Sequence, residues 1–174
     1  MNIKNIEFKA RVENINVPEH QLKTLNPVYK GLDHQIDTYF NVSRGRLKLR
    51  EGNIENALIH YERDDTAGQK QSDVILYRHK PEKPLKDILT LHLGVKAVVD
   101  KQRKIYFIDN VKFHFDVVKG LGTFVEVEAI DADGDYPIDT LKGQCDKYFK
   151  FFGLDKSDLV DLSYCDLIIN KLSN

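Results

Sequence analysis

Along residues 2–13 apolar and polar positions alternate. Ile6, Phe8, Ala10 and Val12 share one side, and Asn5, Glu7, Lys9, Arg11 and Glu13 the other. A period of two predicts a strand with one apolar face. Val17-Pro18 then opens a short helix through Leu25, with proline near the first helical position. Strands are predicted at 35–42 (QIDTYFNV), 44–51 (RGRLKLRE), 57–63 (ALIHYER) and 72–80 (SDVILYRHK), with a polar, glycine-containing loop (DDTAGQKQS, 64–72) as the mobile segment. PEKPLKDILTLHLG (81–94) places Leu85, Ile88, Leu89, His92 and Leu93 on one helical stripe, expected to join the core, and stops at Gly94. VKAVVDKQRKIYFI (95–108) and VKFHFDVV (111–118) flank an Asp109-Asn110 turn and read as a hairpin, and GLGTFVEVEAI (120–130) is the last strand. Residues 138–153 form a helix with a stripe of Ile138, Leu141, Cys145, Tyr148, Phe149 and Phe152, and 156–172 closes the chain as helix or helix plus turn. Eight strands, mostly consecutive, with three or four helices predict an antiparallel α+β domain spanning 1–174.

The polar faces of these strands are unusual. In RGRLKLR (44–50), Arg44, Arg46, Lys48 and Arg50 point one way and Gly45, Leu47 and Leu49 the other. Like charges ~7 Å apart on a strand face repel by about 0.6 kcal/mol in water and about 2.4 kcal/mol at an effective dielectric near 20. Either that face is fully solvated or something anionic lies across it. Other strands sort their charges too. Glu7 alternates with Lys9, Lys101 with Arg103, and Glu126 with Glu128, while Lys112, His114 and Asp116 share one side and Tyr61 and Arg63 another. Eight strands can close into a barrel; helices on the outer apolar face would leave the sorted charges in the lumen, where they need ligands.

Composition limits the choices. Twenty-six basic and 27 acidic residues give a net charge of −1, so the cations are local and a basic nucleic-acid binder is excluded. The two cysteines, Cys145 and Cys165, lack metal-type spacing and read as reduced thiols of a cytosolic protein. No signal peptide or membrane span is expected. There is no P-loop signature, and GLG at 120–122 reads as a tight turn. Glutamates two apart with a third on another strand suit a hard divalent ion such as Mg²⁺ or Mn²⁺. A set of Arg and Lys suits phosphate oxygens. Together they describe a polyphosphate site.

Several stretches carry a family resemblance: N-I-E-F-K (5–9), HQIDTYF (34–40), GRLKLR (45–50), YER (61–63), VDKQRKIY (99–106), HFD (114–116), GLGTFVEVE (120–128) and SYCDL (163–167). In this order they resemble the CYTH-domain proteins, the triphosphate tunnel metalloenzymes that join class IV adenylyl cyclases with thiamine triphosphatases. The family's signature is E-x-E-x-K; here Asn5 stands for the first glutamate. The resemblance implies an eight-stranded antiparallel tunnel with helices outside. Glu7, Glu126 and Glu128 would hold the divalent metal, with Asp116 nearby as a further acidic ligand or orienter and Asn5 as a neutral oxygen. Lys9, Arg46, Lys48, Arg50, Arg63, Lys101 and Arg103 would grip a triphosphate, with Lys9, Arg63 and Lys101 serving catalysis. His114, beside Asp116 on the charged face, is open between a site role and a structural one. SYCDL and HQIDTYF are closest to the class IV cyclase-like branch, which converts ATP to cyclic AMP and pyrophosphate. Hydrolysis of thiamine triphosphate, a nucleoside triphosphate or tripolyphosphate uses the same residues. A non-catalytic polyanion binder is the third reading, and Glu126 with Glu128 argues against it. The expected protein is a cytoplasmic monomer or homodimer with a small-molecule triphosphate partner and neither nucleic acid nor membrane.

Overall fold

The computed structural model describes residues 2–63 and 68–173. Its elements are strands β1 (Asn2–Arg11), β2 (Val28–Phe40), β3 (Arg46–Glu51), β4 (Ala57–Arg63), β5 (Lys70–Arg78), β6 (Val95–Ile108), β7 (Val111–Val118) and β8 (Gly122–Asp131), and helices α1 (Asn16–Lys23), α2 (Lys83–Leu93), α3 (Ile138–Phe151) and α4 (Tyr164–Leu172). The strands close into an antiparallel barrel in the order β1-β5-β4-β3-β2-β6-β7-β8. Two meanders, β2 to β5 and β6 to β8, are joined by the long β2–β6 pairing, and β1 closes the ring between β5 and β8. This is the α+β tunnel that the alternation and the resemblance predict.

The barrel is inverted relative to an ordinary core. Ile6 and Phe8 of β1, Val111, Phe113 and Phe115 of β7, and Val125, Val127 and Ala129 of β8 point outward and are buried under α1 and α3 through Leu22, Leu141, Cys145, Tyr148 and Phe152. Residues of opposite parity on the same strands therefore point into the lumen. A second cluster, with Tyr39, Tyr61, Val99, Val118, Phe124, Tyr164 and Cys165, lies where α4 meets one end of the barrel.

Several elements depart from the sequence expectation. β2 begins at Val28 because a bulge between Tyr29 and Gly31, with Gly31 at φ +134°, breaks the period of two that marks the later half. β3 begins at Arg46 because Gly45 takes φ +64°, outside strand geometry. Arg44 therefore leaves the strand face and pairs with Glu62 outside the lumen. Of the loop expected over 64–72, residues 64–67 lie outside the described residues, and 70–72 belong to β5. α2 forms as expected, but no residue of it is buried, and Ile88 and Leu91 are exposed. It sits at the barrel rim, where β2 is its main neighbour and a full apolar stripe has little to pack on. The closing segment splits. Leu159 bridges to Ala10 and Val160 N–H donates to Lys9 O (2.9 Å), which holds the chain extended until Ser163 caps α4.

Candidate functional site

Inward-facing side chains from the strands surround a cavity of about 660 Å³. The start of α4 packs against one end, where Ser163 and Tyr164 line the cavity. The Tyr164 hydroxyl donates to Asp116 (2.7 Å), Lys9 Nζ lies 4.1 Å from the Tyr164 ring centre, and Arg46 pairs with Asp166 (3.0 Å). Toward the opposite end, Ile3, Leu76, Phe107 and Ile130 form an apolar collar, with Glu55, Asn56 and His79 beside it.

Between the ends lies a lattice of buried ion pairs. Asp37 accepts two bonds from Arg50 (2.8 and 2.9 Å), one from Lys48 (3.0 Å) and one from Lys101 (2.8 Å). Burial alone would raise its carboxyl, but Arg50, Lys101 and Lys48 hold it well below the usual range. Asp116 takes both arms of Arg103 (2.7 and 2.5 Å), and Arg103 reaches on to Glu126 (2.8 Å), which Lys9 also meets at 3.2 Å. Arg63 binds Glu7 at 2.6 Å. A bidentate pair fixes a guanidinium's plane, so Arg50 and Arg103 are pre-oriented. Lys101 is 1% exposed, and burial pulls its ammonium down to about 7, against the attraction of Asp37.

An acidic group adjoins this lattice. Ligating atoms of His114, Glu126 and Glu128 lie within 4.8 Å of one another. Glu7 stands directly across from Glu128 in the β1–β8 register, and facing carboxylates repel. Burial pushes Glu128 up to about 7; Glu126 and Glu7 add to this while Lys112 opposes it. Glu126 itself is held well below the carboxylate range, since Lys9, His114 and Arg103 outweigh its burial. The Asn5 side-chain oxygen is buried in the cavity wall and has no hydrogen-bond partner among the described residues. Crowded carboxylates plus an orphaned neutral oxygen fit a hard divalent cation. Burial, with Arg103 and Lys112, brings His114 down to about 3, so its ring is neutral at neutral pH and able to ligate.

The structure brings together Asn5, Glu7, Glu126 and Glu128 among the expected metal ligands, and Lys9, Lys48, Arg50, Arg63, Lys101 and Arg103 among the cations expected to bind the triphosphate. Two expected residues are set apart. Asp116 is fully buried behind the cavity wall, saturated by Arg103 and Tyr164. Arg46 lies at the α4 end, paired with Asp166, and does not line the cavity. Asp37, Lys112, Tyr164 and Glu55 also belong to the site although no sequence pattern assigned them a role, and His114, left open by the sequence, joins them. Asp37 shares its parity with Gln35 and Tyr39 and could have been found by asking what neutralises RGRLKLR. Glu55 lies in a turn, where no periodicity points inward.

Residues 4–148 match the CYTH domain family. No curated protein sequence matches the chain. Among solved structures, PH1012 protein of Pyrococcus horikoshii is similar at 26% identity and a TM-score of 0.80, covering 94% of this chain and 98% of that one. A conserved hypothetical protein of Pyrococcus furiosus is similar at 25% identity and a TM-score of 0.79, covering 94% and 99%. The fold extends to HpAC1 of Hippeastrum, described as an adenylyl cyclase candidate with a dominant triphosphatase activity, at 12% identity and a TM-score of 0.63 over 100% and 97% of the two chains.

Proposed function

We propose that this protein, which belongs to the CYTH domain family, is a divalent-metal-dependent triphosphatase that hydrolyses the terminal phosphoryl group of a triphosphate held in the tunnel. The observation that carries this reading is Lys101. It is an almost wholly buried amine that lines the cavity, and burial, against the attraction of Asp37, brings it down to about 7, a shift that suits a group taking a proton from water.

Lys9, Lys48 and Arg63 line the cavity beside the pre-oriented Arg50 and Arg103 and would meet the phosphate oxygens. Their positions are set by acids on the barrel wall, so little reorganisation accompanies binding. Glu126 and Glu128, with Glu7, Asn5 and His114 adjacent, are the groups that would hold Mg²⁺ or Mn²⁺, and the ion when bound neutralises charge on the phosphoryl oxygens. The water oxygen bonds to the terminal phosphorus. The bond from that phosphorus to the bridging oxygen breaks, and the diphosphate leaves with the electron pair. The water's proton passes to Lys101 Nζ.

Cyclisation is the second reading. The collar of Ile3, Leu76, Phe107 and Ile130 favours it, because an adenine ring could rest there. The test is incubation with Mg²⁺ or Mn²⁺ and ATP, tripolyphosphate or thiamine triphosphate, with products resolved by phosphorus NMR. Orthophosphate plus a diphosphate is expected. Cyclic AMP plus pyrophosphate would replace hydrolysis with cyclisation, and binding without turnover would reduce the protein to a polyanion binder.

A further inference from the structure

The turn between β3 and β4 is pinned residue by residue to β2. Asp33, 0% exposed, accepts the backbone N–H groups of Ile54 (2.9 Å) and Glu55 (3.0 Å) and the Gln35 amide (2.7 Å). His34 N–H donates to the Asn53 side chain (2.9 Å), and the Asn56 amide bridges the N–H and C=O of Gly52 (2.9 Å each). A Cβ on Gly52 would come within 2.6 Å of Asp33 Oδ1, so the turn has no room for a larger residue there. Asp33 does not line the cavity; it acts through the turn it holds.

What the turn delivers is Glu55. Its carboxylate accepts from Arg50 (3.0 Å), from Gln35 (3.1 Å) and from Lys112. Asp37, Asp116, Glu126, Glu128 and Glu7 all come from strands; Glu55 comes from a turn. In the β7–β8 register, Lys112↔Glu128 lies one inward-facing step nearer the collar than His114↔Glu126. Lys112 is thus the cation by which a bound phosphate chain would continue toward the collar, and Glu55 occupies it. Arg78 also borders the cavity, but it is exposed, and water screens a charge there.

We propose that Glu55 is a specificity-determining residue that ends the phosphate cradle on the collar side, so that the site takes three phosphates and opposes a fourth, with Asp33 as the residue that positions it. This rests on the triphosphate reading above. A fourth phosphate would have to displace Glu55 from Lys112 or lie against a fixed carboxylate. An organic group carrying no anion meets no such conflict.

The test is calorimetry with Mg²⁺ and either tripolyphosphate or linear tetrapolyphosphate, in a Lys101→Ala background so that neither is consumed. The parent should bind tripolyphosphate about tenfold more tightly, the scale of one charged hydrogen bond gained or lost. Glu55→Gln, which keeps the Asp33 bonds to the main chain, should bring the two affinities within about twofold by strengthening tetrapolyphosphate. Asp33→Asn should shift the ratio the same way, a change that loss of stability alone would not produce. An unchanged ratio in Glu55→Gln, or a parent that binds both chains equally, overturns the proposal and leaves the cradle standing. No binding of tripolyphosphate at all, in this background and in the unaltered protein, overturns the cradle and this inference together.

Discussion

Single side chains carry the chemistry here through what surrounds them. Lys101 has Asp37 2.8 Å away, yet burial still brings its ammonium down to about 7. Its amine is protonated below that value and free above it. The logarithm of kcat/KM should therefore rise with pH and level off just above 7, and Lys101→Arg, charged throughout, should abolish this limb with a loss of about 10²–10⁴ in rate. Lys48 is a point charge on the same carboxylate, 3.0 Å away. Lys48→Ala should weaken triphosphate binding by about tenfold or more and monophosphate binding far less, since one phosphate engages fewer of the cations. Equal losses in titrations of the two would contradict a shared cradle. At this scale the sequence was informative where alternation spoke. Lys48, Arg50, Lys101 and Arg103 all reach the cavity from strands whose parity was readable. It was silent on depth: Asp116 has the inward parity but is saturated by Arg103 and Tyr164 behind the wall.

Elements hold these residues through contacts on the outside of the barrel. α1 is fastened by one acid. Glu19, 3% exposed, accepts from Tyr106 (2.6 Å) and Lys104 (2.6 Å) of β6 and pairs with Lys23 (3.0 Å). Burial would raise it, but those three partners bring it down to about 2. A depressed carboxyl stabilises the fold above its unfolded pKa and loses that contribution as pH falls through the folded one. Glu19→Gln should thus cost about 2 kcal/mol at pH 7 by urea denaturation, with the difference shrinking between pH 4.5 and about 2. A gap that stayed constant with pH would mean that the acid contributes by shape alone. Local signals located nearly every strand and helix, and failed at bulges and turns. The Gly31 bulge concealed the first half of β2, and Gly45 cut Arg44 off from β3. In both, a glycine at positive φ changes the side-chain direction without changing the hydrophobic pattern.

For the whole molecule, closure turns a repulsive set of strand faces into a site. The carboxylates of Glu126 and Glu128 and the His114 ring come together because β7 and β8 are neighbours, and Glu7 joins them because β1 pairs with β8. Mg²⁺ or Mn²⁺ at about a hundredfold excess over its Kd should raise the melting temperature by roughly 5–10 °C. Glu128→Gln, nearly isosteric, should lose most of that rise, and a chelator should reverse it in the parent. A full shift in Glu128→Gln would remove this residue from the ligand set.

The sequence by itself determined the period of two, the segregation of charge by strand and the helical stripe of α3, because each depends only on neighbours along the chain. These were enough to separate an apolar outer face from a charged inner one and to connect the motifs to a tunnel family. Whether the charged face was wet or enclosed depended on β1 meeting β8 and on β2 pairing with β6 across the middle of the chain. The tertiary structure alone decided that Asp37 neutralises RGRLKLR, that Asp116 withdraws behind the wall and that Glu55 is carried into the cavity by its turn. Those outcomes follow from distances between residues remote in sequence, which no local pattern encodes.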